Sequence, residues 1–192
     1  MSISHEATTQ GTPGKPGVPC LARVTTRYSP GHDRVCLAGA LPNGDSVLLW
    51  LTQRLLRRML APLTTWLEGQ DVPQAAAAHR NPAQALYAEA MQGFAQQAAW
   101  ARIAPEAPVP VDEDGAACLV RSVDLVASPQ ALQLVFHGPQ GAVAAMELQA
   151  LSLRQWLAIV LGAWRNAEWP LDPWPVWLLE SASAPASSAV LH

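Results

Sequence analysis

Residues 142–169 read AVAAMELQALSLRQWLAIVLGAWRNAEW, and the spacing of the apolar residues changes partway through. Ala144, Met146 and Leu148 alternate with Ala145, Glu147 and Gln149, the two-residue repeat of a strand with one face buried. Leu153, Trp156, Leu157, Val160, Leu161 and Trp164 then recur at helical spacing. One side of that helix is therefore continuously apolar and needs a sheet or a second helix to cover it. Ser152 stands where a helix N-cap is expected, and Gln155 three residues on would complete a capping box. Leu151 and Trp156 are spaced for a hydrophobic staple across that cap.

Upstream of this strand-helix unit the chain reads as hairpins and helices. Leu21 to Tyr28 and Val35 to Leu41 are strand-like, separated by the Ser29-Pro30-Gly31 turn. Pro42-Asn43-Gly44-Asp45 is a strong hairpin signal. The strand after it, Val47 to Thr52, is apolar almost throughout, which predicts burial on both faces. Leu55, Leu56, Met59, Leu60, Leu63 and Leu67 then define a helix from Gln53 to Glu68. Gly69 should close it, and Pro62 should kink it by removing a backbone donor. Asn81, Pro82 and Gln84 begin a second helix, running to Ile103, with Leu86, Tyr87, Met91, Phe94 and Trp100 as its expected bulky contacts. These two helices form a helical hairpin inserted between strands. Pro105, Pro108 and Pro110, with Asp112-Glu113-Asp114, read as an exposed linker. Cys118 to Ala127 and Leu132 to His137 are two further strands, and Gly138-Pro139-Gln140-Gly141 turns into the strand that begins at Ala142.

The order is thus three strands, a helical hairpin, three strands and a helix. It predicts an α+β fold: an antiparallel β-barrel or sandwich of about six strands with an inserted helical hairpin and a C-terminal helix. Residues 1–19 are expected to be a disordered leader, 20–180 a single domain with a Trp-rich arm at 169–180, and 181–192 a disordered tail. From Leu21 to Trp169 the element order resembles the head domain shared by the scaffold proteins of DNA end joining and of the centriolar cartwheel. That resemblance implies a small β-barrel carrying a helix-turn-helix and followed by a C-terminal helix. In those proteins the last helix continues into a dimerising coiled coil, whereas here Pro170, Pro173 and Pro175 stop it. Contact between heads through the barrel would remain.

The totals narrow the function. A chain of 192 residues with 50% apolar and 14% charged residues can bury one substantial core. A net charge of -3 gives no bulk electrostatic drive toward nucleic acid or acidic membranes. The N-terminal residues lack the basic and apolar regions of a signal peptide, and no apolar run approaches the ~20 residues of a membrane helix. Three scattered cysteines, Cys20, Cys36 and Cys118, do not form a disulfide framework, so a reducing, cytoplasmic setting is expected.

Few residues are arranged for chemistry. His32, Cys36 and Cys20 are the nearest approach to a metal set, but no CxxC or HExxH spacing supports it, and buried thiols with a solvated turn histidine explain them as well. Phosphate-binding glycine loops and a GxSxG elbow are missing from the sequence. Cys118 would need His137 beside it to act as a nucleophile, and a small core residue is the simpler reading. The carboxylates Asp112, Glu113 and Asp114 lie in the linker, where water keeps them ordinary. No catalytic, cofactor-binding or metal-ligating residue is assigned.

Two features point to partners instead. Arg54, Arg57 and Arg58, with Arg102 on the following helix, could grip a phosphate or carboxylate, or simply line a solvated helix face. Of the eight Trp, five lie between Trp156 and Trp177, and Trp169, Trp174 and Trp177 fall in the proline-spaced EWPLDPWPVWLLE. An extended polyproline-like arm bearing Trp suits a binding hot spot, or it folds back and plugs the core. The expected function is a non-enzymatic interaction or scaffold domain, homodimeric or with a protein partner, using Trp169, Trp174, Trp177, Arg54, Arg57 and Arg58. Membrane and nucleic acid are not expected partners. The alternative is a small-molecule-binding domain or enzyme with an apolar cavity beside Tyr87 and Trp100.

Overall fold

The computed structural model describes residues 17–70, 82–104, 106–111, 117–181 and 190–191. In chain order the elements are β1 (Arg23–Ser29), β2 (Arg34–Ala40), β3 (Ser46–Leu51), α1 (Gln53–Gln70), α2 (Pro82–Trp100), β4 (Ala117–Leu119), β5 (Ser122–Ala127), β6 (Ala131–Gly138), β7 (Gly141–Gln149), α3 (Ala150–Asn166), α4 (Val176–Ser181) and the short β8 (Val190–Leu191). The fold is α+β, as the element order predicts. The leader to residue 16, Asn81, Pro105, Asp112 to Asp114 and most of the tail lie outside the described residues.

Two sheets form, with strand orders β4-β3-β2-β1-β8 and β5-β6-β7. All ladders are antiparallel except β3 with β4. The sheets do not close into a barrel. The run Cys118 to Ala127, read as one strand, is divided between them because successive amides choose different partners. Val120 donates its N–H to Trp50 in one sheet (3.0 Å), and Arg121 donates to His137 in the other (2.8 Å). A second join lies before β1, where Leu21 donates to the Ala145 carbonyl and Ala145 to the Pro19 carbonyl, both at 2.8 Å.

Strand β3 is buried on both faces, as its composition predicts, and β2 beside it is too. Val35, Leu37, Leu49 and Leu51 face the main core, which includes Leu134, Phe136 and Met146 of the other sheet, Leu63 and Leu67 of α1, and Trp156 and Trp164 of α3. Cys36, Ala38, Leu48 and Trp50 face the opposite way into a smaller cluster closed by Val109. Val109 belongs to the proline-rich segment expected to be an exposed linker. It is buried there, with its N–H bonded to Thr25 Oγ1 at 2.8 Å, because the outer face of this sheet is apolar and needs cover.

Three local expectations are corrected. Helix α3 begins at Ala150 with Gln149 as an extended N-cap that makes no side-chain cap bond. The strand passes straight into the helix, so Ser152 is already helical, Gln155 reaches the Ala99 carbonyl instead, and Leu151 is exposed rather than stapled. Helix α1 runs through Gly69 to Gln70. The helical hairpin does not form as a packed pair, because α2 packs on α3 and α4.

Candidate functional site

The Trp-rich arm is not an extended strap. Helix α3 ends in a Schellman motif: Glu168 adopts φ 55, its N–H bonds the Arg165 carbonyl, and the Trp169 N–H bonds the Trp164 carbonyl. The associated apolar contact is the edge-to-face packing of Trp164 and Trp169, 5.0 Å between ring centroids. Trp174 packs on the same Trp164 ring at 5.6 Å. The arm thus returns along α3 and ends in α4. Trp169 Nε1 donates to Asp33 Oδ1 (3.2 Å) and Trp177 Nε1 to Glu68 Oε1 (3.2 Å). Trp169, Trp174 and Trp177 are all buried in the main core, so the rings proposed to meet a partner plug the domain's own interior. Prolines shorten the turns but do not hold the segment extended against that burial.

The arginines are dispersed in role. Arg57 forms a two-pronged ion pair with Asp172 of the arm, so it fastens the plug to α1. Arg54 and Arg58 are exposed on α1. His32 stacks on Trp50 at 4.4 Å and bonds Ser29, Cys36 is buried beneath the sheet, and Cys20 sits beside Ala145. These three do not converge, and among the described residues no cluster of His, Cys, Asp and Glu is arranged to hold a metal ion. His137 Nε2 contacts Asp124 at 2.9 Å rather than Cys118, whose thiol lies against Gly138.

The unexpected feature is α2, which is packed with its polar side inward. Gln92 and Gln96 are 3% and 1% exposed, whereas Leu86, Tyr87 and Phe94 are 73%, 68% and 65% exposed. Gln92, Gln96 and Ala99 share one helix face, and Leu86, Tyr87, Met91 and Phe94 lie on the other. The cause is Arg154, a buried guanidinium on the otherwise apolar face of α3. Removing a guanidinium from water requires hydrogen-bond acceptors. Arg154 donates to the side-chain and backbone oxygens of Gln92, while Gln96 Nε2 donates to the Arg154 carbonyl at 2.9 Å. The guanidinium also lies 5.5 Å from the centre of the Trp177 ring. With its amides committed inward, α2 turns its large apolar side chains outward. Tyr87 therefore does not line an interior cavity with Trp100.

This face borders a groove of about 380 Å³ between α2 and α4, with Leu86, Gly93 and Phe94 on one side and Val176 and Glu180 on the other. A second hollow of about 350 Å³, reaching Glu68, lies across Val176. Glu89 borders both. The charged residues lining them are the carboxylates Glu68, Glu89 and Glu180, with no Lys or Arg among the described lining residues. The sequence signal was present in the i, i+4, i+7 stripe of Gln92, Gln96 and Ala99, matched by an arginine inside an apolar helix face.

Among the described residues no helix is long and apolar enough to cross a membrane. Comparison with protein families, with curated proteins and with solved structures finds no match to this chain.

Proposed function

We propose that the chain is a non-enzymatic protein-binding domain, a scaffold element that docks its partner on the outward face of α2. The inverted burial of this helix carries the reading: its amides are inside and its leucine and aromatic rings are in water. At their exposures Tyr87 and Phe94 alone leave roughly 200–300 Å² of ring surface in water. With Leu86, Met91 and Val176 also exposed beside them, the apolar exposure is gathered on one face and not scattered singly. Covering the two rings is worth about 5–8 kcal/mol before the cost of association. Of the residues first singled out for binding, Trp177 lines the groove and Arg57 holds the arm in place, so they support the surface from behind.

A photo-cross-linking amino acid placed at Phe94, in the cells from which the protein comes, tests this. A discrete adduct at Phe94, with none from the exposed strand position Glu147, is expected. No adduct at Phe94, or equal adducts at both positions, would contradict the reading.

A further inference from the structure

The groove beside α2 is specific in both shape and charge. Its length from Leu86 to Gln97 is about 17 Å at the helical rise, the length of a helix of three turns. Gly93 interrupts a helix built largely of Ala and Gln and lines the groove. A glycine there weakens the helix, and the fold does not require it: a Cβ at Gly93 would meet nothing nearer than the Trp177 carbonyl oxygen at 4.0 Å. Its effect is to leave the groove open where a neighbouring backbone can approach.

Glu89 is the one charged residue of α2, and Glu68 and Glu180 continue the acidic rim. A second copy docking here about a two-fold axis would set this rim against itself. We infer that the occupant is an amphipathic helix of a partner protein, with apolar residues at i, i+4 and i+7 and Arg or Lys along its flank. The apolar residues lie between Leu86, Gly93, Phe94 and Val176, and the basic flank meets the exposed Glu89. This inference rests on the protein-binding reading and adds the chemistry of the partner.

The test uses the full chain and two fluorescein-labelled synthetic peptides of about four turns. Both carry the same leucine spacing on an alanine background; one has arginine along the flanks and the other glutamate. In anisotropy titrations the basic peptide is expected to bind at least about tenfold more tightly than the acidic one, and less tightly as salt rises. Gly93→Ala, which fills the groove floor while favouring the helix, should weaken binding about tenfold with no loss of thermal stability. Glu89→Gln should narrow the difference between the peptides. Equal binding of both peptides, unchanged by Glu89→Gln, would overturn the basic-partner inference and leave the protein-binding reading standing. Binding of neither, with an adduct still formed at Phe94, would overturn this inference alone, and an adduct at twice the chain mass would make a second copy the occupant. Binding of neither with no adduct would overturn both.

Discussion

Gln96 donates from Nε2 to the backbone carbonyl of Arg154 at 2.9 Å, at a position where an amphipathic helix would ordinarily bury a leucine. Its own Oε1 is buried and meets no protein donor among the described residues, so the two glutamines of α2 differ in what they contribute. Replacing Gln96 by leucine loses one hydrogen bond but also removes an unpaired acceptor, and the change in unfolding free energy should stay within about 1 kcal/mol. Gln92→Leu takes an acceptor from the buried Arg154 guanidinium and should cost about 2–4 kcal/mol. Urea unfolding of the two variants checks the order. Equal losses would mean that the guanidinium does not depend on Gln92.

Glu168 occupies the left-handed position of the Schellman motif at φ 55, where a Cβ is disfavoured. Glu168→Gly should relieve this and stabilise the domain by about 0.5–1 kcal/mol, part of the gain being returned to the more flexible unfolded chain. A higher melting temperature is the expected result, and a lower one would show that the glutamate side chain has a stabilising contact that outweighs its backbone strain.

Burial pushes the Cys36 thiol above its ordinary value of 9.0, with Arg27 opposing part of the shift. The native state therefore keeps a proton that the unfolded chain releases. Stability should be full below about pH 9 and fall as pH rises beyond it. Tyr28, also raised, first through its hydrogen bond to Asp33, starts from 10.0, so the interval between the two ordinary values reports mainly on the cysteine. Cys36→Ala should flatten the fall in unfolding free energy over that interval. An identical slope in wild type and variant would place the titrating group elsewhere.

Much of this architecture is legible in the sequence because it depends on near neighbours. The Asn43-Gly44 hairpin, the two-sided burial of β3, and the apolar stripe of α1 follow from local period and turn chemistry. What the sequence conceals is set at long range. Leu86, Tyr87, Met91 and Phe94 read as core because large apolar residues usually are, but Arg154, more than fifty positions later, claims the inner face of α2 for amides. Ser152 reads as a cap only if the chain breaks before it, and the β7 ladder continues to Gln149 instead. The prolines and tryptophans of the arm leave an extended strap and a folded-back plug both open, and the edge-to-face packing of Trp164 with Trp169 and Trp174 selects the plug.

A docking surface on the outward face of α2 requires that this face contribute little to folding, which the unfolding free energy of the double variant Leu86→Ser, Phe94→Ser measures. Surface positions of this kind should leave it within about 0.5 kcal/mol of wild type for each change. A combined loss of about 4 kcal/mol or more, the scale of buried large-to-small substitutions, would show that these side chains belong to the core and contradict the account.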